Sequence, residues 1–315
     1  MSSNPPIPTT PGDERPATPE PVPEAIALPR LPEPDPAADS RTADGPARDG
    51  SSAVADHVEQ LLLTGAARGP WDPRSSHGGA PAALLARAIE RAAVGDEVRI
   101  SALSYTFYGP VPLGPIEIRA RLRKPGRRQQ IVTAELLAGG RVAMEARGIL
   151  LRRGQVELPA TVSGPWPELP PPEGAPELTD RFVPEGTLGF HPTAIEIRQV
   201  EGGFDALGST AIAWFRLRLP VVPGEQPTPI QRAATASDFG NGLAHPVSFG
   251  EYLFVNCDLN VSLHRDPAGE WIGLRPRTEL DRAGTGLTTT ELHDQAGRFG
   301  TATQTLFVDR APAAG

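Results

Sequence analysis

The sequence predicts an α+β protein built from two tandem units, each a helix followed by long antiparallel strands, behind a disordered N-terminal tail. Three observations carry this reading. Residues 116–123 alternate strictly, with Ile116, Ile118, Ala120 and Leu122 on one side and Glu117, Arg119, Arg121 and Arg123 on the other. That period belongs to an antiparallel strand packed on one face and wet on the other. Segments also recur at a near-constant offset: Pro110 and Pro267, like Arg141 and Arg298, are 157 apart, and Thr133-Ala134-Glu135-Leu136 and Thr289-Thr290-Glu291-Leu292 are 156 apart. Finally, thirteen of the 37 prolines fall in residues 1–50, a stretch without Phe, Trp or Tyr, which offers too little apolar surface to offset the entropy of ordering it.

Beyond the tail, the first unit spans 51–153. Its helix is expected over 82–93, rich in Ala, Leu and Arg and preceded by Gly78, Gly79 and Pro81. The strand at 116–123 follows, and Gly139-Gly140 marks a hairpin turn with a strand on either side. Nine prolines in 154–192, including Pro170, Pro171 and Pro172, describe a long connection, with a linker at 154–179. The second unit spans 180–311. Thr228 before Pro229 suits a helix start, threonine capping free amides and proline fitting the first turn, and Gln231 has the spacing of a capping box. The helix should end near Asp238, because Gly240, Asn241 and Gly242 follow. Residues 255–263 then read as one strand, Val255, Cys257, Leu259, Val261 and Leu263 against Asn256, Asp258, Asn260 and Ser262.

Charge and composition exclude several function classes. The chain carries a formal −8. Nine carboxylates against four arginines in 1–50 supply −5 of it, leaving −3 for the remainder. A weakly acidic body without a Lys/Arg run argues against nucleic acid or anionic lipid as a partner. A lone cysteine, Cys257, permits no intramolecular disulfide and no cysteine-rich zinc site, and the reducing cytosol is the expected compartment. No stretch approaches the roughly 20 apolar residues of a membrane span, and the polar, proline-rich start does not read as a signal peptide.

Five segments in order, "HGGAPAALLARAIE" from His77, "YTFYGPVPLG" from Tyr105, "ASDFGNGL" from Ala236, "FVNCDLNVSLHR" from Phe254 and "TATQTLF" from Thr301, resemble the double hotdog thioesterase-like family related to type II acyl-CoA thioesterases. The resemblance covers most of 55–310. It implies a double hotdog, two tandem helix-wrapped antiparallel sheets side by side, and hydrolysis of an acyl-CoA to acid and free CoA without a cofactor or metal. Sheets of this fold commonly associate, so a homodimer or larger homo-oligomer is expected. The family's catalytic set is an aspartate, a Thr or Ser, and a glutamine. Carried onto this sequence, the aspartate falls on Asp238, the glutamine on Gln304 and the hydroxyl position on Asn256, whose amide can hold a water but cannot relay a proton as a hydroxyl can.

The residues themselves speak to these assignments unevenly. Hydrolysis needs a water, a base and donors where charge develops on the carbonyl oxygen. Asp238 is the base candidate, although a solvated aspartate at a helix end fits the same pattern. Alternation puts Gln304 on an apolar strip with Ala302, Leu306 and Val308, where it must find partners: a catalytic water shared with Asp238, or backbone in a satisfied core. The pleat groups Asn256 with Asp258 and Asn260 and does not aim it at a site. Hotdog enzymes often present free amides from the start of the central helix to the thioester. Gly78 and Gly79 would allow that approach, facing Asp238 across the joint, with His77 orienting the turn rather than acting as base. The carboxylate that single-hotdog relatives carry nine residues after this histidine is Ala86 here, so one site per chain is expected.

No G-x-S-x-G, P-loop or H-E-x-x-H is present, and Gly240 and Gly242 lack the third glycine of a dinucleotide fingerprint, His245 standing in its place. Two other readings stay open. A non-catalytic acyl-CoA-binding or assembly protein is suggested by Asn256, and a hydratase would need an Asp/His pair, for which Asp238 and His245 are seven apart but separated by two glycines.

Overall fold

The alternating segments become strands of one antiparallel sheet, and the alanine-rich segment becomes a helix inside it. The computed structural model describes residues 21–30, 57–162, 168–178, 187–204 and 206–311. In the first half β2 (His57–Leu63), α1 (Gly79–Ala92), β3 (Val98–Phe107), β4 (Gly114–Lys124), β5 (Gln129–Ala138) and β6 (Arg141–Arg152) follow an edge strand β1 (Ala27–Pro29). In the second half come β7 (Ile195–Glu201), β8 (Ile212–Leu217), α2 (Pro229–Ser237), the short α3 (Gly240–Leu243), β9 (Tyr252–Asn256), β10 (Asp258–Leu263), β11 (Ile272–Asp281), β12 (Thr285–Asp294) and β13 (Gly297–Arg310). The sheet runs β1-β2-β4-β5-β6-β3-β10-β13-β12-β11-β8-β7, with β9 also on β13. Its two halves repeat one order in mirror sense and meet where β3 pairs with β10. This is the double hotdog.

Local chemistry explains the elements. The inward residues of β4, Ile116, Ile118, Ala120 and Leu122, are all buried, and Gly139 and Gly140 both have positive φ, as a tight hairpin turn demands. Helix α1 starts three residues earlier than expected. Gly79, Ala80 and Pro81 form its first turn, where the missing proline N–H would lack a partner anyway. Every residue from Gly79 to Ile89 is buried, as expected of a helix wrapped by sheet on one side and packed on α2 on the other. In α2, Thr228 accepts from the Gln231 N–H as predicted (3.3 Å). The Gln231 side chain completes no capping box, donating instead to Glu90 of α1 (2.8 Å), which Thr228 Oγ1 also reaches (2.9 Å). Buried Arg87 adds a second link between the halves, pairing with Glu59 and Glu225.

Two expectations need correction. Within the proline-rich 1–50, Ala25, Ile26 and Ala27 are wholly buried and Ala27–Pro29 pairs with Leu61–Leu63. Ile26 and Ala27 also donate to the carbonyls of Pro220 and Val221, so this segment contacts both halves. Averaging composition over fifty residues hid a four-residue apolar run, and Pro29 is tolerated because it sits on an edge strand. Residues 1–20 and 31–50 lie outside the described residues. Ile26→Ala is expected to reduce stability by about 2–5 kcal/mol, seen as a lower denaturation midpoint. An unchanged midpoint would mean that 25–29 is not docked in solution.

The second correction concerns 255–263, which is not one uniform strand. Between the pairs Asn256↔Leu306 and Asn260↔Thr303 the chain advances four residues while β13 advances three. An extra residue is thus accommodated at Cys257–Asp258, and the inward face changes parity there. Phe254 is buried before the bulge and Leu259 after it, while Cys257 is exposed. Asn256 therefore leaves the outward set of Asp258 and Asn260. The first half has the same bulge: Ile100 pairs with Leu150 and Ala102 with Ile149, which makes Ile100 the counterpart of Asn256, 156 residues earlier.

Candidate active site

At the joint between the halves lies a cavity of about 470 Å³. Its walls come from the loop before α1 (including Trp71, His77 and Gly78), the end of β3 (Phe107, Tyr108) and the second half (including Asp238, Phe239, Phe249 and Asn256). Most of the lining is apolar, and polar groups from both halves meet at one place within it.

That place is the Asp238 carboxylate, at the C-terminal cap of α2 and 6% exposed. Asn256 Nδ2 donates to Oδ1 (2.8 Å), and His77 Nδ1 lies 2.9 Å from Oδ2. The asparagine reaches inward because of the bulge beside it. The histidine comes from the opposite half, its ring packed against Phe190 and Phe239 at centroid separations of 5.1 and 4.1 Å. Gly78 makes the approach possible: a Cβ there would lie 2.7 Å from Oδ2 and 3.0 Å from Oδ1.

The start of α1 thus faces Asp238 across the joint, as expected. Of its first amides, Gly79 N–H points at His77 Nδ1 (3.1 Å), Ala80 N–H bonds the His77 carbonyl (3.1 Å) and Pro81 has none. The Gly78 amide is left without an acceptor among the described residues, on a glycine that lines the cavity. Gly79 does not line it. A Cβ on Gly79 would meet the Thr235 carbonyl at 2.5 Å, so its role is close packing of α1 on α2.

Gln304 is brought to the same turn but from behind. Its Oε1 accepts from the Asn241 N–H (3.1 Å) and its Nε2 donates to the Asp238 carbonyl (3.3 Å). It is 1% exposed and absent from the cavity lining. Of the two roles its strip allowed, the arrangement has the amide bonded to backbone, fixing the chain on either side of Gly240. A Cβ on Gly240 would meet Thr290 Oγ1 and Gln304 Oε1 at 2.6 and 2.7 Å. Thr278, Thr288, Thr290 and Gln304 are all buried beneath this turn, with Thr278 and Thr288 sharing a hydrogen bond of 2.7 Å. By strand pairing their counterparts in the first half are Leu122, Val132, Ala134 and Gly148. At these four positions the first half has no polar side chain; the end of α1 is held from another position by Gln130, which bonds the N–H and carbonyl of Val94.

The histidine bonded to Asp238 is His77, which the sequence had marked as a turn residue. Nothing in the sequence links positions 77 and 238; the folded joint does. His245 is fully buried against Phe249 and Phe254, and burial lowers its pKa. His191, also in the cavity wall, is pushed down to about 4 chiefly by burial and is neutral near pH 7.

Two family models match in tandem, the acyl-CoA thioesterase N-terminal domain over 67–151 and the acyl-CoA thioesterase C-terminal domain over 167–308. The chain belongs to the acyl-CoA thioesterase family. As a family member it is a thioester hydrolase. Solved structures with the same fold include a protein assigned as a thioesterase II from Thermobifida fusca YX (20% identity, TM-score 0.66, covering 80% of this chain and 92% of that one). A protein described as having a hotdog fold, from Alicyclobacillus acidocaldarius, aligns at 19% identity and TM-score 0.64 (83% and 97%). Acyl-CoA thioesterase II TesB2 from Mycobacterium marinum aligns at 17% and 0.58 (81% and 94%). No curated protein matches the sequence. Among the described residues no helix is long and apolar enough to cross a membrane.

Proposed function

We propose that this chain hydrolyses an acyl-CoA thioester to the free acid and CoA at the joint between its halves, with proton removal from water dependent on Asp238. The observation that carries the reading is the meeting of a buried carboxylate from one half with the amide start of a helix from the other, at the polar end of an apolar cavity. The acyl group occupies the apolar walls, and the thioester oxygen takes the Gly78 N–H, a donor aimed where negative charge develops. Asn256 holds the carboxylate through its amide donor, leaving its side-chain oxygen to accept from the attacking water. In this chain the amide thus performs the orienting task, with no proton relay of its own.

Gln304 acts as a positioning residue by fixing the turn that carries Asp238. Gln304→Leu is expected to lower kcat by roughly tenfold or more, as misplacement of a reacting group does, and stability by about 1–3 kcal/mol, because a buried backbone N–H loses its acceptor. Activity and unfolding measured on the same preparation check both effects. Self-association and a cytoplasmic setting belong to the same reading and are tested by light scattering and by localisation of the full chain.

The experiment for the reaction is a thiol-release assay on acyl-CoAs of graded size. Saturable release of free CoA supports the reading. Tight acyl-CoA binding without release would favour the non-catalytic acyl-binding protein that Asn256 suggests.

A further inference from the structure

The Asp238 carboxylate and the His77 imidazole form a buried pair whose geometry is more specific than a base beside a turn residue. We propose that His77 Nε2, not Asp238 itself, takes the proton from the attacking water, and that Asp238 acts through His77; this rests on the hydrolase reading above. Both residues line the cavity. Their side chains are only 14% and 5% exposed. The carboxylate is engaged on each oxygen, by Asn256 Nδ2 and by His77 Nδ1. His77 Nε2 has no partner among the described residues and is not among the buried polar atoms left unpaired, so it retains access to the cavity.

Nδ1 has a single in-plane position for a proton or a lone pair, yet two groups address it, Asp238 Oδ2 at 2.9 Å and the Gly79 N–H at 3.1 Å. A hydrogen bond from Nδ1–H to a carboxylate is charge-assisted and stronger than a neutral amide bond to the ring. The proton therefore sits on Nδ1, and the Nε2 lone pair faces the cavity. Phe239 and Phe190, their own centroids 6.0 Å apart, pack against the ring and restrict its rotation. The arrangement matches the logic of a carboxylate that orients an imidazole and stabilises the imidazolium formed in the reaction.

The steps balance. The water oxygen bonds the thioester carbonyl carbon as its proton moves to His77 Nε2, and the carbonyl π pair moves to the oxygen at the Gly78 N–H. The tetrahedral intermediate collapses by breaking the C–S bond, whose electron pair leaves on sulfur. The imidazolium returns its Nε2 proton to that sulfur, giving the acid and a free thiol with Asp238 ionised throughout.

The test combines turnover with a direct reading of the ring. His77→Gln is expected to lower kcat about a hundredfold or more with KM within about threefold, since positioned proton transfer contributes on the order of 10²–10⁴. His77→Gln with Asp238→Asn should be little worse than either alone, as for residues acting as a unit. In His77→Ala, added imidazoles should restore turnover in proportion to their basicity, which a packing role for His77 would not produce. Nitrogen NMR of histidine-labelled full chain should show His77 protonated on Nδ1 and bare on Nε2. His77→Gln activity within about threefold of wild type while Asp238→Asn is inactive would overturn the proposal, as would a ring protonated on Nε2. If the wild-type chain releases no thiol from any acyl-CoA, the hydrolase reading itself fails, whereas normal release by wild type with a silent His77→Gln overturns the assignment of the base alone.

Discussion

Asp238→Asn is expected to reduce kcat for thioester hydrolysis by about a thousandfold, the scale of a positioned acid–base group, with KM little changed. The replacement keeps the shape of the side chain but removes the charge toward which both Asn256 Nδ2 and His77 Nδ1 point. An amide at 238 can accept on one atom only, so one of the two neighbours loses its partner and His77 loses the group that fixes its proton. The fold should survive, because Gln304 bonds the backbone carbonyl of residue 238 rather than its side chain. Steady-state thiol release together with an unfolding curve checks this. Near-normal turnover by a folded Asp238→Asn chain would remove the residue from the chemistry.

The second large effect is expected from one methyl group. Gly78→Ala introduces a Cβ that would lie 2.7 Å from Asp238 Oδ2 and 3.0 Å from Phe107 Cε1. The backbone tolerates alanine there, since Gly78 has φ −61°, so the consequence is steric alone. The carboxylate must move by a substantial fraction of an ångström, and a displacement near 1 Å can reduce turnover about a hundredfold. The matching control is Gly154→Ala, where a Cβ meets nothing within 4 Å, and it should leave kcat/KM at the wild-type value. Equal activity of Gly78→Ala and the control would mean that the close approach of α1 to Asp238 does not matter for catalysis.

Much of this fold is legible in the sequence because it rests on local rules. Strict alternation at Ile116 to Leu122 fixes which face of β4 is buried. Paired glycines with positive φ fix the β5–β6 hairpin, and Thr228-Pro229 fixes the start of α2. The recurrence at 156–157 residues reflects a shared register down to the bulge. The site is less legible because its parts are joined by tertiary geometry. The bulge at Cys257 carries no sequence mark, and a pattern with period two read straight through it put Asn256 on the wrong face. The partnership of His77 with Asp238 arises from residues 161 positions apart meeting at the joint. Gln304 was visible as a polar residue on an apolar strip, but a pleat shows only that a partner is needed, not that the partner is the backbone of residues 238 and 241. Ile26 was missed because a composition average cannot see a short apolar run between prolines.

In the proposed reaction a water held at the Asp238 end of the cavity attacks the thioester directly. The most direct test is a single turnover of acyl-CoA by excess enzyme in H₂¹⁸O, followed by mass analysis of the acid and of the protein. Direct attack predicts one ¹⁸O atom in the acid and none in the peptide carrying Asp238. Unlabelled acid, with the label on residue 238, would show that the carboxylate itself attacks the thioester, and would contradict it.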